Sequence, residues 1–372
     1  MSPLHATAGN AQQGENAPIP KVSVIIPTVL REDLLRDCLE SLRQQAFHDF
    51  ETILISNGAG NWANKLAAEF GCILVAFPEN RGFAAAVNAG IALSRSPYVA
   101  LLNDDVRLEK NWLQLTAAFL ETRPDLSFCC GKIYQSDGVL LDNAGDALSL
   151  GGSAWRLGFG RQDSASFAAP RQVFAAPATA ALFRRCLFDQ IGGLDEDFFS
   201  YLEDIDFSLR AGRSGSRGFY LPQATCRHQG SASLGESNPT AVFRLLTQNQ
   251  LMILAKHYPW RLLLRMGPRI AWSQMLWAVM AIRKNRIGAY LSGVAHFFWR
   301  FRKTIRKRTR WRLDELQNFV ALLRESEREI YEDTTAADRD GQDTFWRLYF
   351  FLFPPSPGHK SSVNPDLGHL PG

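Results

Sequence analysis

Short apolar runs alternate with segments of helical period along the first part of the chain. VSVIIP (22–27) is apolar throughout and ends in Pro27, as a strand buried on both faces would. REDLLRDCLESLRQQ follows, with Leu34, Leu35, Cys38, Leu39 and Leu42 recurring at the period of a helix. FETILIS (50–56) predicts a second strand, NWANKLAAEF a helix, CILVAF (72–77) a third strand and GFAAAVNAGIAL another helix. YVALLN (98–103) predicts the fourth strand. Strands that alternate with helices argue for an α/β domain, a parallel sheet with helices on both faces. Ligands of such sheets bind beyond the carboxyl ends of the strands.

The pattern then becomes less regular. Residues 126–183 read as mixed strands with a long loop around 145–172. In GGLDEDFFSYLEDIDFSLRAGRSG a short helix carries Phe207 and Leu209 and ends at Gly212. GFYLP (218–222) is a further strand, and TCRHQGSASLG closes the unit. From 240 to 312 the period is helical again. The division expected is a disordered leader (1–20), an α/β domain with a mixed central sheet (21–236), a helical region (237–333) and a tail (334–372).

Charge sharpens this division. The net charge is only +4, yet residues 237–313 hold 16 Lys and Arg and no Asp or Glu, and an acidic stretch follows from Asp314. The longest uncharged apolar-leaning run, Ile270 to Ile282, has 13 residues, against about 20 for a spanning helix. Aromatic and aliphatic residues rimmed by cations instead suit helices lying in a membrane interface, through residues 240–312 and the aromatic TFWRLYFFLFPP (344–355). An ordinary helical domain or a contact between copies of the chain is the plainer use of the same pattern. RFRKTIRKRTRWR comes with no nucleic-acid-binding signature, so nucleic acid is not an expected partner. The leader has neither a basic start nor an apolar core, so it does not read as a signal peptide. The six cysteines form no C-x-x-C pair, which fits free thiols in a reducing compartment. The expected location is the cytoplasm, at the inner face of the cell membrane.

Asn103, Asp104 and Asp105 fall at the carboxyl end of the fourth strand. Two adjacent carboxylates repel, and a divalent cation would relieve that repulsion; oxygen ligands suit Mg²⁺ or Mn²⁺. A solvated loop is the alternative reading of the same pair.

VSVIIPT, ENRGFAAAVNAGI, LLNDDV, GGLDEDFFSYLEDIDFSLR and the histidine of TCRHQGSAS stand in this order over about residues 21–260. Together they resemble glycosyltransferase family 2, inverting sugar-nucleotide transferases with a Rossmann-like A-type fold, and among these its rhamnosyltransferase-like and galactofuranosyltransferase-like members. The resemblance implies that Asp105 is the last acid of a D-x-D-like motif that binds metal and donor diphosphate, with Asn103 in place of its first Asp and Asp104 at its middle. It implies Asp204 as catalytic base with Glu203 beside it, and His228 as a further metal ligand. Asn80, Arg81, Gly82 and Asn88 match the donor-binding segment; Pro27, Thr28, Ser56 and Asn57 fall at the nucleotide pocket. Where the family carries an Asp to hold the base, this chain has Ser56, whose hydroxyl accepts a hydrogen bond without charge assistance. Rhamnose from a dTDP donor is the first expectation. A UDP donor of galactofuranose or another hexose is the alternative, with a polyprenyl-diphosphate-linked or polysaccharide glycan as acceptor. Two other classes stand beside these: a sugar-nucleotide-binding protein without turnover, and a hydrolase using two carboxylates.

Overall fold

The computed structural model describes residues 18–29, 31–230, 238–336 and 344–355. The first part builds the expected alternation: β1 (Val22–Thr28), α1 (Glu32–Arg43), β2 (Phe50–Asn57), α2 (Trp62–Phe70), β3 (Ile73–Phe77), α3 (Phe83–Leu93) and β4 (Tyr98–Leu102). β5 (Val106–Leu108), α4 (Trp112–Thr122), β6 (Phe128–Gln135), β7 (Leu141–Asn143), β8 (Asp146–Leu148), β9 (Ala154–Arg156), β10 (Arg171–Val173) and β11 (Ala180–Arg184) follow. α5 (Arg185–Ile191), α6 (Glu203–Arg213) and β12 (Gly218–His228) complete the sheet domain. The helical part comprises α7 (Pro239–His257), α8 (Trp260–Arg283), α9 (Ile287–Arg306), α10 (Leu313–Thr334) and α11 (Thr344–Leu352).

The main sheet runs β10-β12-β6-β11-β4-β1-β2-β3, with β5 on β12 and β7 on β6. β4, β1, β2 and β3 are parallel, β11 is antiparallel to β4 and β6, and β12 is parallel to β6. The sheet is therefore mixed. Every residue of β1 is buried, as its unbroken apolar run requires. Val24, Ile26 and Leu54 face Leu35, Leu39 and Leu120 on one side, while Ile25, Ile53 and Ile55 face Val87 and Phe207 on the other.

Three expectations are corrected. The helix expected to end at Gly212 continues to Arg213. The segment expected as a loop around 145–172 is an ordered scaffold of short strands. Side chains some 175 positions later satisfy its backbone donors: Leu148 N–H bonds to Ser326 Oγ at 2.7 Å, Leu150 N–H to Glu327 Oε1 at 3.0 Å and Gly158 N–H to Asp333 Oδ1 at 3.1 Å. No local pattern encodes such partners. The aromatic stretch in the tail is corrected in part, since Trp346, Tyr349 and Phe350 turn inward while Leu348, Phe351 and Leu352 stay exposed. Trp346, Tyr349 and Phe350 pack with Leu157, Leu276 and Ile330, and Tyr349 O–H donates to Glu327 at 2.6 Å. The expected leader lies mostly outside the described residues.

The helical part is fused to the sheet domain. Met252 and Ile253 of α7 and Phe319 and Leu323 of α10 share one core with Leu148, Phe198, Ile205 and Leu209. Among the described residues, no helix is long and apolar enough to cross a membrane.

Candidate active site

The carboxyl ends of the parallel strands carry the expected polar residues. β1 ends in Pro27 and Thr28, β2 in Ser56 and Asn57, and β4 runs into Asn103, Asp104 and Asp105. After β3, the turn 80–82 is tied to the end of β2. Asn57 Nδ2 donates to Asn80 Oδ1 at 3.0 Å and to Gly82 O at 3.1 Å, while Arg81 N–H donates to Asn57 Oδ1 at 2.8 Å. The Arg81 guanidinium lies 4.7 Å from the centre of the Phe77 ring and is exposed. Asn88 is committed elsewhere: its amide donates to Leu194 O at 2.9 Å and accepts from Leu194 N–H at 2.8 Å.

The two adjacent carboxylates diverge. Asp104 turns down to accept from Thr28 Oγ1 at 2.6 Å, and burial pushes its carboxyl up to about 7. Asp105 turns into a cavity of about 680 Å³. There its Oδ1 lies 3.2 Å from His228 Nε2. Strand register sets this approach: Val106 pairs with His228, so the residue before β5 meets the last residue of β12. On its other side His228 Nδ1 lies 3.0 Å from Asp142 Oδ2, and Arg156 Nη1 contacts Asp142 Oδ1 at 2.7 Å. Burial alone would depress His228, but its two carboxylate partners overcome this and raise it to about 9, so a cation would bind there in competition with a proton.

The cavity passes from this pair to the start of α6. Asp204 lies in the first turn, where Ile205 N–H donates to its Oδ1 at 2.8 Å and Ala178 N–H approaches its Oδ2 at 3.5 Å. Burial pushes the Asp204 carboxyl above the usual range. Glu203, raised by burial and then by the Asp204 charge, has an Oε2 with no hydrogen-bond partner. Asn103, Asp105, Glu203, Asp204 and His228 thus line one cleft. Pro27, Thr28, Ser56, Asn57, Asn80, Arg81 and Gly82 stand at the neighbouring strand ends rather than in that cavity.

Sequence reasoning missed Asp142, Asn143, Asp146 and Arg156. Asp146 is buried in the cleft, receives Asn143 Nδ2 at 2.7 Å, and is raised by burial and by Asp204. The signal was the LDNAGD stretch (141–146), whose two acids and one amide stand between apolar positions.

Does the donor set suit a divalent cation? Among the described residues, no three His, Cys, Asp or Glu side chains form a metal-binding group. The Asp105–His228 pair nevertheless fits one edge of a site. Asp105 Oδ1 is buried with the His228 imidazole as its neighbour, off hydrogen-bond alignment, and their 3.2 Å separation matches two ligands on one ion. Asp142 behind His228 is the carboxylate that fixes a ligating imidazole's tautomer. Mg²⁺ commonly takes only one or two carboxylates and fills its shell with water and substrate phosphates.

An α/β domain with carboxylates and a histidine gathered beyond parallel strand ends defines a ligand-binding class, and enzymes are its usual members. Residues 23–192 match the model described as glycosyl transferase family 2, over the part of the chain that builds β1 to α5. It is similar to the uncharacterized protein y4gI of Sinorhizobium fredii, 33% identical over 235 residues, which cover 59% of this chain and 25% of that protein. Over 233 residues it is 27% identical to the O-antigen biosynthesis protein RfbC of Myxococcus xanthus, covering 58% of this chain and 18% of RfbC. Over 90 residues it is 32% identical to the N-acetylglucosaminyl-diphospho-decaprenol L-rhamnosyltransferase of Mycobacterium tuberculosis, 24% of this chain and 29% of that enzyme. The chain therefore spans less than a third of the length of each of these curated relatives. Among solved structures, GalNAc-T7 with UDP, GalNAc and Mn²⁺ shares the fold, with a TM-score of 0.52 at 13% identity over 77% of this chain and 57% of that one.

Proposed function

We propose that the protein is a metal-dependent, inverting glycosyltransferase that moves a hexose, rhamnose in the first instance, from a nucleoside-diphosphate donor to a glycan acceptor. The observation that carries this reading is the single cleft lined by Asp105 and His228 at one side and Asp204 at the other. Asp204 acts as general base. It takes the proton of the acceptor hydroxyl as the new bond to the anomeric carbon forms and the bond to the diphosphate breaks, a role worth about 10²–10⁴ in rate. Burial makes Asp204 a stronger base than an exposed carboxylate, while the first turn of α6 keeps its charged form accessible. Burial, and then the Asp204 charge, raises the Glu203 carboxyl well above the usual carboxylate range. Asp105 and His228 would hold Mg²⁺ or Mn²⁺, which supplies charge stabilisation to the departing diphosphate. Pro27, Thr28, Ser56, Asn57 and the 80–82 turn receive the nucleotide, with Arg81 exposed beside it. Asn103 and Asp104 shape the donor side, Asp104 through Thr28. Asn88 contributes at one remove, by holding Leu194.

The dTDP-rhamnose reading draws on the mycobacterial relative named as a rhamnosyltransferase, and the same name supports a polyprenyl-diphosphate-linked acceptor. A UDP donor of galactofuranose or another hexose is the competing specificity. Purified protein incubated with dTDP-rhamnose, Mn²⁺ and a diphosphoprenyl-linked N-acetylglucosamine acceptor should yield a rhamnosylated lipid. Turnover only of UDP-hexoses would reassign the donor, and no transfer from any nucleotide sugar would overturn the reading.

The protein acts at the inner surface of the cell membrane, attached peripherally. α8 exposes Leu264, Met275, Val279 and Ile282, and α9 exposes Leu291, Phe298 and Trp299, at steps that keep each set on one helix face. Arg261, Arg265, Arg283, Lys284, Arg302 and Arg306 are exposed around them. Each cation near an anionic leaflet adds about 1 kcal/mol. Other members of the basic run are paired with acids of the protein itself: Lys256, buried, and Lys307, exposed, pair with Asp195 at 2.7 and 2.5 Å, and Arg269 pairs with Glu327 at 3.0 Å.

A further inference from the structure

The segment that leads into Asp204 is strained. Phe199, Tyr201 and Leu202 all have positive φ, at 66°, 71° and 66°. At Phe199, φ 66° and ψ −67° with a Ser200 N–H to Phe198 O bond of 2.8 Å make the less favourable hand of the γ-turn. Side chains larger than glycine rarely adopt such backbone, and it persists only where its surroundings over-determine it.

What over-determines it comes from α7. Asn249 is fully buried, and its side-chain Nδ2 is aimed at three carbonyl oxygens of this segment: Phe198 O at 3.0 Å, Ser200 O at 2.9 Å and Tyr201 O at 2.7 Å. Seven residues along the same helix, Lys256 Nζ contacts Asp195 Oδ2 at 2.7 Å and Asp206 Oδ1 at 2.6 Å. α7 therefore grips the chain on both sides of Asp204. The gripped segment also reaches the donor turn, since Ala84 N–H bonds to Phe199 O at 3.3 Å and Phe83 N–H to Ser200 Oγ at 3.3 Å.

We propose that Asn249 is a positioning residue, whose side-chain amide fixes residues 198–202 in their strained path and so sets Asp204 against the donor turn. This rests on the reading of Asp204 as base. Asn249 does not line the cavity and touches no substrate; it acts through the backbone it holds. It also gives the helical part a task in the chemistry besides any attachment to a surface.

The test compares Asn249→Ala, Asn249→Ser and Met252→Ala in the full chain. Met252 is a buried core residue of the same helix that makes none of these carbonyl contacts, so it controls for general loss of stability. Per folded molecule, N249A should lower kcat about 100-fold, as misplacement of a reacting group does, while the donor KM stays within about threefold. N249S, which keeps one donor, should fall between N249A and the parent, and it serves where N249A does not fold. Hydrogen exchange at the amides of residues 200–206 should quicken about tenfold in both variants and not in M252A. Unchanged exchange over 200–206 in the Asn249 variants would overturn the proposal, as would M252A matching them in both measurements. If the parent protein itself transfers no sugar, the base reading fails, and the exchange comparison still decides whether Asn249 holds the segment.

Discussion

Asp105 Oδ1 stands 3.2 Å from His228 Nε2, although the two residues lie far apart in the sequence. Antiparallel pairing of β5 with β12 creates the meeting, and Asp142 secures the imidazole from behind at 3.0 Å. Removing either member of the pair should abolish the dependence of nucleotide binding on divalent cation. Titration calorimetry of Mn²⁺ with dTDP or UDP checks this in Asp105→Asn and His228→Ala. Asp142→Asn, which leaves both side chains in place, should weaken metal binding by about 10–100-fold. Parent-like Mn²⁺ affinity in all three variants would remove the metal from the account.

Acid should loosen the link between the helical part and α6. Burial alone would raise the Asp206 carboxyl, but Lys256, then His257 and Arg210, hold it well below the usual carboxylate range. His257 is depressed, chiefly by burial. Both groups bind protons more readily when unfolded. Their contribution is present above the ordinary unfolded values, about 6.5 for His and about 3.9 for Asp, and is lost as pH falls below them. Asp206→Asn should destabilise the protein by about 3–5 kcal/mol near neutral pH, because Lys256 loses a buried partner. Carboxyls raised by burial, Asp104 and Asp204 among them, act on stability in the opposite sense, so the measurement is the difference in melting temperature between parent and variant, which should shrink as pH falls below about 4. A difference that grows on acidification would contradict this.

Gly82 has a φ of 89°, and a Cβ built there would lie 2.6 Å from Phe199 O and 2.7 Å from the Phe199 ring. Gly82→Ala should destabilise the protein by about 1–3 kcal/mol, read by thermal melting, and slow transfer by forcing the Phe199 turn away. A variant that melts and turns over like the parent would show that this close approach carries no weight.

Much of this was legible in the sequence, and the exceptions have a common cause. The four parallel strands follow from apolar runs that are buried on both faces, and their ends follow from the strand pattern. The placement of Asp105 and Asp204 in one cleft rested on resemblance, because no periodicity links positions so far apart. Asp142 and Asp146 escaped because their partners, His228, Arg156 and Asn143, meet through three-residue strands too short to leave a pattern. The inward turn of Trp346 and Tyr349 was hidden because an aromatic residue reads alike whether it meets lipid or core.

Membrane attachment predicts a specific loss. Full-length protein should float with vesicles containing phosphatidylglycerol, more weakly as salt rises. Phe298→Glu with Trp299→Glu should abolish flotation without shifting the melting temperature, since both side chains are exposed. Deleting the helices would not serve as a test, because α7 and α10 share a core with the sheet domain. Equal flotation of parent and double variant would contradict the attachment.

The most direct test of the catalytic reading is Asp204→Asn, assayed for transfer and for donor binding on the same preparation. The predicted result is a fall in kcat of about 10²–10⁴ with the thermal shift by nucleotide sugar and Mn²⁺ retained. Transfer at the parent rate by that variant would contradict the assignment of the base and, with it, the function proposed for the cleft.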